Sequence, residues 1–270
     1  MIYFQEILDC AKGLPAEIIE KDYCLTWLLE GISDSSLSKY FVFYGGTALK
    51  KIYFPNFRFS EDLDFLSKGA ITKEKILIIF NEVYHRLQKK ININYFTKKE
   101  TVALKEDRLQ FFVGYDGFPE INIAKQIKMD INMGQKPIEK ALNRKIFSPY
   151  SDKKEIQGGL PTYSMEAIAA EKLSAIFDLA RKEPRDIYDL NYLLKQPSLN
   201  YKLVMALLRK KYGFSPPSSA ILLNIRSDIY RQRWELRLKS QIIKPGKIDA
   251  AIHNLETAIK KLYLNPSSLV

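Results

Sequence analysis

FVFYGGTALKKIYFPNFRFSEDLDFL, running from Phe41 to Leu66, is the stretch on which the reading of this chain turns. An apolar run ends in Gly45-Gly46-Thr47, and a second opens on Asp62-Leu63-Asp64. Alternate residues of a strand share a face, so Asp62 and Asp64 point one way while Leu63 turns into the core. Adjacent carboxylates repel unless positive charge lies between them. A divalent metal supplies that charge, and oxygen-only ligands suit Mg2+ or Mn2+. Gly45, Gly46 and Thr47 fall where a strand should meet a helix, a place where backbone N–H groups cradle phosphate. The two motifs together read as a metal-dependent enzyme acting on a nucleotide. A plainer reading makes Gly46 a helix-start turn, Thr47 an N-cap and the two aspartates solvated strand-edge acids. The order of the motifs within one strand–helix–strand unit favours the first reading.

GGTALKK followed by RFSEDLDF resembles the signature of the AbiEii/AbiGii toxin family, type IV toxin–antitoxin nucleotidyltransferases of the DNA polymerase beta-like superfamily. The family pattern is a Gly-Gly-Ser/Thr turn and then a Ser-x-Asp-x-Asp strand, matched by Gly45, Gly46, Thr47, Ser60, Asp62 and Asp64. Arg58 and Glu20-Lys21-Asp22-Tyr23 fit as well, and the likeness continues through Lys172 and the RDIYDL segment at Arg185 to Leu190. It covers most of residues 15–195. The resemblance implies an α+β fold, a polymerase-beta-like mixed sheet with helices followed by a helical C-terminal domain. It also implies an NTP substrate, a hydroxyl acceptor such as RNA (tRNA 3′ ends in the wider family) and a separately encoded antitoxin.

Nucleotidyl transfer of this kind uses two metals held by three carboxylates. The third acid should lie on a strand beside Asp62 and Asp64. The segment EINIAKQIKMDINM, Glu120 to Met133, offers Asp130 in a strand-like alternation between Met129 and Ile131. An acid so flanked is costly unless exposed or paired, so Asp130 is taken as the third ligand, a solvated edge residue being the alternative. Lys128 shares its face by parity and suits phosphate. Lys125 falls on the opposite face of an unbroken strand, although a bulge would change that.

From Thr162 to Ala180 the chain reads as an amphipathic helix with Met165, Ile168, Ala169, Leu173, Ile176 and Leu179 at helical spacing. Lys172 sits beside this stripe, where a snorkelling surface lysine is the ordinary case. A break at Glu183-Pro184 and a second helix from Arg185 would bring Lys172 and Arg181 alongside Arg185 and Asp186, a cluster suited to triphosphate oxygens. The resemblance gives Lys172 and Asp186 roles in transfer, with Asp189 as the competing aspartate. Local capping and pairing by Asp186 and Asp189 is the alternative.

The 270 residues allow two modest domains, expected as 1–158, catalytic, and 159–270, helical, with the site in the cleft between the halves. Helices are expected at 15–31, 46–54, 72–90, 162–181, 185–195, 199–212, 218–239 and 247–264, and strands at 39–44, 61–66, 91–98, 108–115 and 120–133. There is no apolar run of transmembrane length, and MIYFQEILDC lacks the basic start and long apolar run of a signal peptide. A cytoplasmic protein with no membrane partner is expected. Cys10 and Cys24 then read as buried thiols, and His85 and His253 are too isolated for zinc. The net charge is +11, and Tyr201 to Lys247 holds eleven lysines and arginines against two acids. Arg226, Arg233 and Arg237 are spaced to share one side of an unbroken helix, a platform for a phosphate backbone. That basic surface points to RNA. Other expectations are an enzyme acting on a protein or small-molecule hydroxyl, and a non-catalytic scaffold binding RNA or an antitoxin.

Overall fold

A computed structural model describes residues 3–10, 13–121, 125–152 and 158–264. The chain divides into two compact units, Met1–Thr162 and Tyr163–Val270. The first runs α1 (Phe4–Asp9), α2 (Ala16–Ser33), β1 (Phe41–Tyr44), α3 (Gly45–Ala48, continuing as a π-turn over Leu49–Tyr53) and β2 (Asp62–Ser67). After α4 (Lys73–Ile91) come β3 (Tyr95–Thr97), β4 (Ala103–Lys105), β5 (Arg108–Tyr115), β6 (Gln126–Asn132), β7 (Leu142–Lys145) and β8 (Gly159–Thr162). These strands form one mixed sheet in the order β3-β5-β6-β2-β1-β8-β7, with β4 added to β5. β2 runs antiparallel to β1 and parallel to β6, which pairs antiparallel with β5.

Alternation sorts this sheet into two chemical faces. Leu63, Phe65, Leu109, Phe111, Met129 and Ile131 all turn to one side and are buried, each contributing about 1.5–3 kcal/mol by leaving water. Helix α4 belongs to that core: its apolar residues recur at helical spacing from Ile76 to Ile91, and Phe80 meets Phe111 edge-on at 5.3 Å. Helix α2 is tied in where Tyr95 donates to the Cys24 carbonyl at 2.9 Å. The opposite parity carries Tyr44, Asp62, Asp64, Lys128, Asp130, Arg108 and Gln110. The core fixes the strand register, and the register fixes which polar groups are neighbours.

The structure differs from expectation at short elements. Gly159-Leu160-Pro161, expected as a break, is strand β8, antiparallel to β7 and parallel to β1. Pro161 is tolerated because the parallel partner meets β8 at Thr162. Strands β4 and β7 are three and four residues long, too short for periodicity to show. Residues 122–124 of the expected strand 120–133 lie outside the described residues. Cys24 is buried but Cys10, the C-cap of α1, is exposed.

The second unit holds α5 (Met165–Phe177), α6 (Pro184–Leu193), α7 (Tyr201–Tyr212), α8 (Ser218–Ile225), α9 (Asp228–Leu238) and α10 (Ile248–Leu264). The expected helix 218–239 is two helices, broken at Arg226-Ser227. Buried Asn224 gives the physical reason: its side-chain amide donates to the carbonyls of Ile176 and Asp178, at the end of α5. The Ile176 carbonyl, in the last turn of α5, has no partner within its own helix, and Asn224 supplies one, so the end of α8 is anchored to the end of α5. Among the described residues no helix is long and apolar enough to cross a membrane.

Candidate active site

Gly45 stands at φ +83°, in the left-handed region, and a Cβ placed there would lie 2.5 Å from Asp64 Oδ2. Only glycine allows the turn and the approach together. A Cβ on Gly46 would lie 2.6 Å from Arg58 Nη2 and 3.2 Å from Ser60 Oγ. Arg58 and Ser60 are buried, and Arg58 Nη1 donates to the Phe59 carbonyl at 3.0 Å. Thr47 is buried, and its hydroxyl donates to the Asp62 carbonyl at 2.5 Å. Thr47 therefore fastens the turn to the first aspartate of β2. The Gly45-Gly46-Thr47 turn, Arg58, Ser60, Asp62 and Asp64 form one tightly packed group.

In the β2–β6 ladder Asp64 sits opposite Asp130 and Asp62 opposite Lys128. The expected third acid is thus beside the pair, and Lys128 is on its face, 3.8 Å from Asp130 Oδ2. Sequence reading missed what holds Asp130. Arg108 Nε reaches Oδ1 at 2.6 Å and Nη2 reaches Oδ2 at 2.7 Å, a two-pronged pair, while Gln110 Nε2 donates to Oδ2 at 2.6 Å. These hydrogen bonds raise the Arg108 pKa above the usual guanidinium value against the opposing effect of burial; the charges of Asp130, Tyr44 and Asp64 add to them. The signal was present: Arg108-Leu109-Gln110 alternates polar-apolar-polar, but the β5–β6 register was needed to aim it.

Lys125 is placed elsewhere. Its Nζ contacts buried Glu20 at 3.0 Å and donates to the Asp116 and Phe118 carbonyls. Glu20 belongs to the Glu20-Lys21-Asp22-Tyr23 segment, and each of its residues tethers a different part of the unit. Lys21 pairs with Glu61 at 2.8 Å, next to Asp62. Asp22 receives Lys51 at 2.6 Å and the Tyr150 hydroxyl at 2.7 Å, all three buried. Tyr23 donates to Asp152 at 2.8 Å. Helix α2 is thereby a frame for the glycine turn, the start of β2 and the approach to β6.

The second unit carries its own cluster. Lys172 is buried rather than snorkelling, and its Nζ lies 2.7 Å from both Asp186 Oδ1 and Asp189 Oδ2. Arg181 Nε is 2.6 Å from Asp186 Oδ2. Burial alone would raise the Asp186 pKa, but Lys172 and Arg181 overcome it and hold it at about 2. Both aspartates hold the lysine. Arg185 turns instead to Glu183 at 3.1 Å.

The donor chemistry of this face is carboxylate oxygen, the kind a hard divalent cation takes. Asp62 and Asp64 offer carboxylate oxygens on one face, which suits magnesium or manganese. Asp130 adds a third carboxylate opposite Asp64, and its Oδ1 accepts one hydrogen bond, from Arg108, and its Oδ2 two, from Arg108 and Gln110. Among the described residues no group of three or more His, Cys, Asp or Glu is arranged to hold a metal.

The expected basic platform also changes. Arg226 caps α8 and pairs with Glu256 at 2.6 Å, while Arg237 pairs with Glu183 at 3.1 Å. The helix break removes the common side on which Arg226, Arg233 and Arg237 were expected.

A sequence profile described as "Nucleotidyl transferase AbiEii toxin, Type IV TA system" matches residues 27–258. Among solved structures, MenT4, a nucleotidyltransferase toxin from Mycobacterium tuberculosis H37Rv, superposes with a TM-score of 0.70 at 17% identity. That match covers 99% of this chain and 91% of the other. No curated protein sequence matches the chain.

Proposed function

The chain belongs to the AbiEii nucleotidyl transferase toxin family, and on that premise we propose a magnesium-dependent enzyme that moves a nucleoside monophosphate from an NTP to a hydroxyl of RNA. The observation that carries this reading is the packing of Gly45 onto Asp64, with Asp62 on the same strand face. A glycine turn packed directly on an aspartate pair supports the reading of a phosphate cradle beside a cation site.

Asp62, Asp64 and Asp130 would hold the metal; magnesium bound there supplies charge neutralisation for the triphosphate and activation of the acceptor hydroxyl. The backbone N–H groups of the glycine turn, with Ser60 and Lys128, receive phosphate oxygens. Arg58 and Thr47 hold the turn in shape. The acceptor hydroxyl attacks the α-phosphorus in line and gives up its proton to solvent, a new P–O bond forms, and the bond to the departing pyrophosphate breaks. Lys172, gripped by Asp186 and Asp189, is assigned to phosphate charge, as the family resemblance implies. A cognate antitoxin and a cytoplasmic site of action complete the proposal.

A protein or small-molecule hydroxyl is the second reading of the acceptor, favoured by the commitment of Arg226 and Arg237 to ion pairs. Pyrophosphate release from each of the four NTPs, with magnesium and a cell extract as acceptor source, tests the chemistry. Release that depends on Asp62 supports it, and equal release by Asp62→Ala contradicts it.

A further inference from the structure

The order of the sheet sets the direction from which each substrate reaches the aspartates. The glycine turn follows β1, Asp62 and Asp64 lie on β2, Asp130 lies on β6, and β5 and β3 continue the sheet beyond it. In-line displacement puts the attacking and leaving oxygens on opposite sides of phosphorus. With pyrophosphate toward the glycine turn, the acceptor comes in over β6 and β5.

Asp130 is the only acid on β3, β4, β5 and β6, and Arg108 already matches its charge. Partners in the ladder share a face, which places Lys105 beside Arg108 and Lys128 beside Phe112 on this same side. Lys98, just past β3, donates its backbone N–H to the Phe112 carbonyl at 2.9 Å and its ammonium to Gln126 Oε1 at 2.7 Å. Phe112 thus lies between two lysines. Phe96 stands opposite Gly114, and its ring lies over that glycine, where a Cβ would meet it at 2.5 Å. Phe96 is 46% exposed and Phe112 half-buried. Among the described residues neither ring packs on another aromatic ring, whereas Tyr95 and Phe111, on the other side of the same strands, do. The uncompensated lysines suit a polyanion, and the open rings suit one with unpaired bases: bases stack on the rings while phosphates meet the cations. From Asp130 to Phe96 is four residues along β6 and two strands across. That is about 17 Å at about 3.4 Å per residue and about 4.8 Å per strand, a reach of a few nucleotides.

We infer that the sheet face over β6, β5 and β3 seats the single-stranded end of the acceptor RNA, with Phe112 and Phe96 stacking bases and Lys98 and Lys105 meeting phosphates. The inference rests on the nucleotidyltransferase reading and deepens it, because it selects an acceptor with an unpaired end. A closed duplex keeps its base faces stacked on each other and has none to offer these rings.

The test uses the full-length protein and fluorescence anisotropy, with a labelled single-stranded RNA of about 12 nucleotides and a blunt duplex of the same sequence. An α,β-methylene NTP analogue, titrated by calorimetry, reports on the nucleotide side. The single strand binds about tenfold tighter than the duplex, and Phe96→Ala and Phe112→Ala each weaken it by about tenfold. Phe96→Tyr keeps the affinity within about twofold and Phe96→Leu does not, because stacking needs the ring. Lys98→Gln/Lys105→Gln lowers the salt slope of single-strand binding by about 1.4, from two phosphates at about 0.7 each. The analogue moves by less than about threefold in all of them, as expected of separate sites.

Far-ultraviolet circular dichroism checks each fold, and exposed Phe96 carries the test alone if Phe112→Ala does not fold. Single-strand affinity within about twofold of wild type in the alanine variants overturns the inference. So does Phe96→Leu binding as well as Phe96→Tyr, since the ring then only covers Gly114. Equal binding of the duplex, or analogue affinity lost in step with RNA, overturns it too. The reading beneath it fails separately: pyrophosphate release that ignores Asp62→Ala refutes nucleotidyl transfer. Asp62-dependent release, with RNA binding indifferent to Phe96 and Phe112, removes the inference alone.

Discussion

Replacing Gly45 with alanine separates backbone strain from damage to the site, because Gly213 provides a matched control. Both glycines have positive φ, +83° and +75°. A left-handed alanine costs about 1–2 kcal/mol, and nothing lies within 4 Å of a Cβ at Gly213, so Gly213→Ala measures that cost alone. At Gly45 the new methyl would sit 2.5 Å from Asp64 Oδ2, and ordinary contact begins at 3.4 Å, so the carboxylate must retreat by 3.4 − 2.5 = 0.9 Å. Misplacing a catalytic group by about 1 Å can lower a rate about a hundredfold. Trp27 lies in the first unit and Trp234 in the second, so urea unfolding in Trp234→Phe and Trp27→Phe backgrounds follows each unit alone. The expected result is a loss of about 1–2 kcal/mol for Gly213→Ala with full transfer activity. For Gly45→Ala, a larger loss and a rate about a hundredfold lower are expected, with weaker Mn2+ binding. A Gly45→Ala enzyme of wild-type rate, no less stable than Gly213→Ala, would refute the reasoning.

Other predictions concern groups outside that contact. Asp22→Asn leaves Lys51 buried beside a neutral partner and destabilises the first unit by about 3–5 kcal/mol, while Asp22→Asn/Lys51→Met is less damaging than the two single losses summed; urea unfolding reads both. Asp186 is held near 2 when folded, against an ordinary value of 3.8, so it contributes stability above the unfolded value that is lost as pH falls through the folded one. That contribution is about 2 kcal/mol, and unfolding of the second unit should show a weaker acid dependence between pH 4 and 2 in Asp186→Asn than in wild type. If RNA is the acceptor, Arg233, exposed and without an ion pair among the described residues, is the best placed of the three helix arginines. Arg233→Ala then lowers the salt slope of RNA binding by about one, and Arg237→Ala leaves it unchanged, as filter binding across a salt series would show.

The glycine turn and the aspartate strand were legible because each has its own local signature and both lie within 26 residues. Parity alone placed Lys128 beside Asp130, since strand alternation is a property of one segment. What was not legible depends on partners distant in sequence. Arg108 meets Asp130 only through the β5–β6 ladder, and Lys51 meets Asp22 only once α2 packs on the π-turn. Strand β8 was hidden because Gly158-Gly159 and Pro161 signal a break locally, while pairing with β1 and β7 overrides them. The basic helix failed for a similar reason: Asn224 ties the end of α8 to α5, and no local propensity announces a contact across 48 residues.

The central claim is nucleotidyl transfer to RNA by the Asp62–Asp64 site, and label transfer tests it most directly. The protein is incubated with magnesium, total cellular RNA and each α-32P-labelled NTP in turn, with Asp62→Ala in parallel. The account predicts label on one RNA size class from a preferred nucleotide, absent with Asp62→Ala. Label that persists with Asp62→Ala, or none with any NTP, would contradict it.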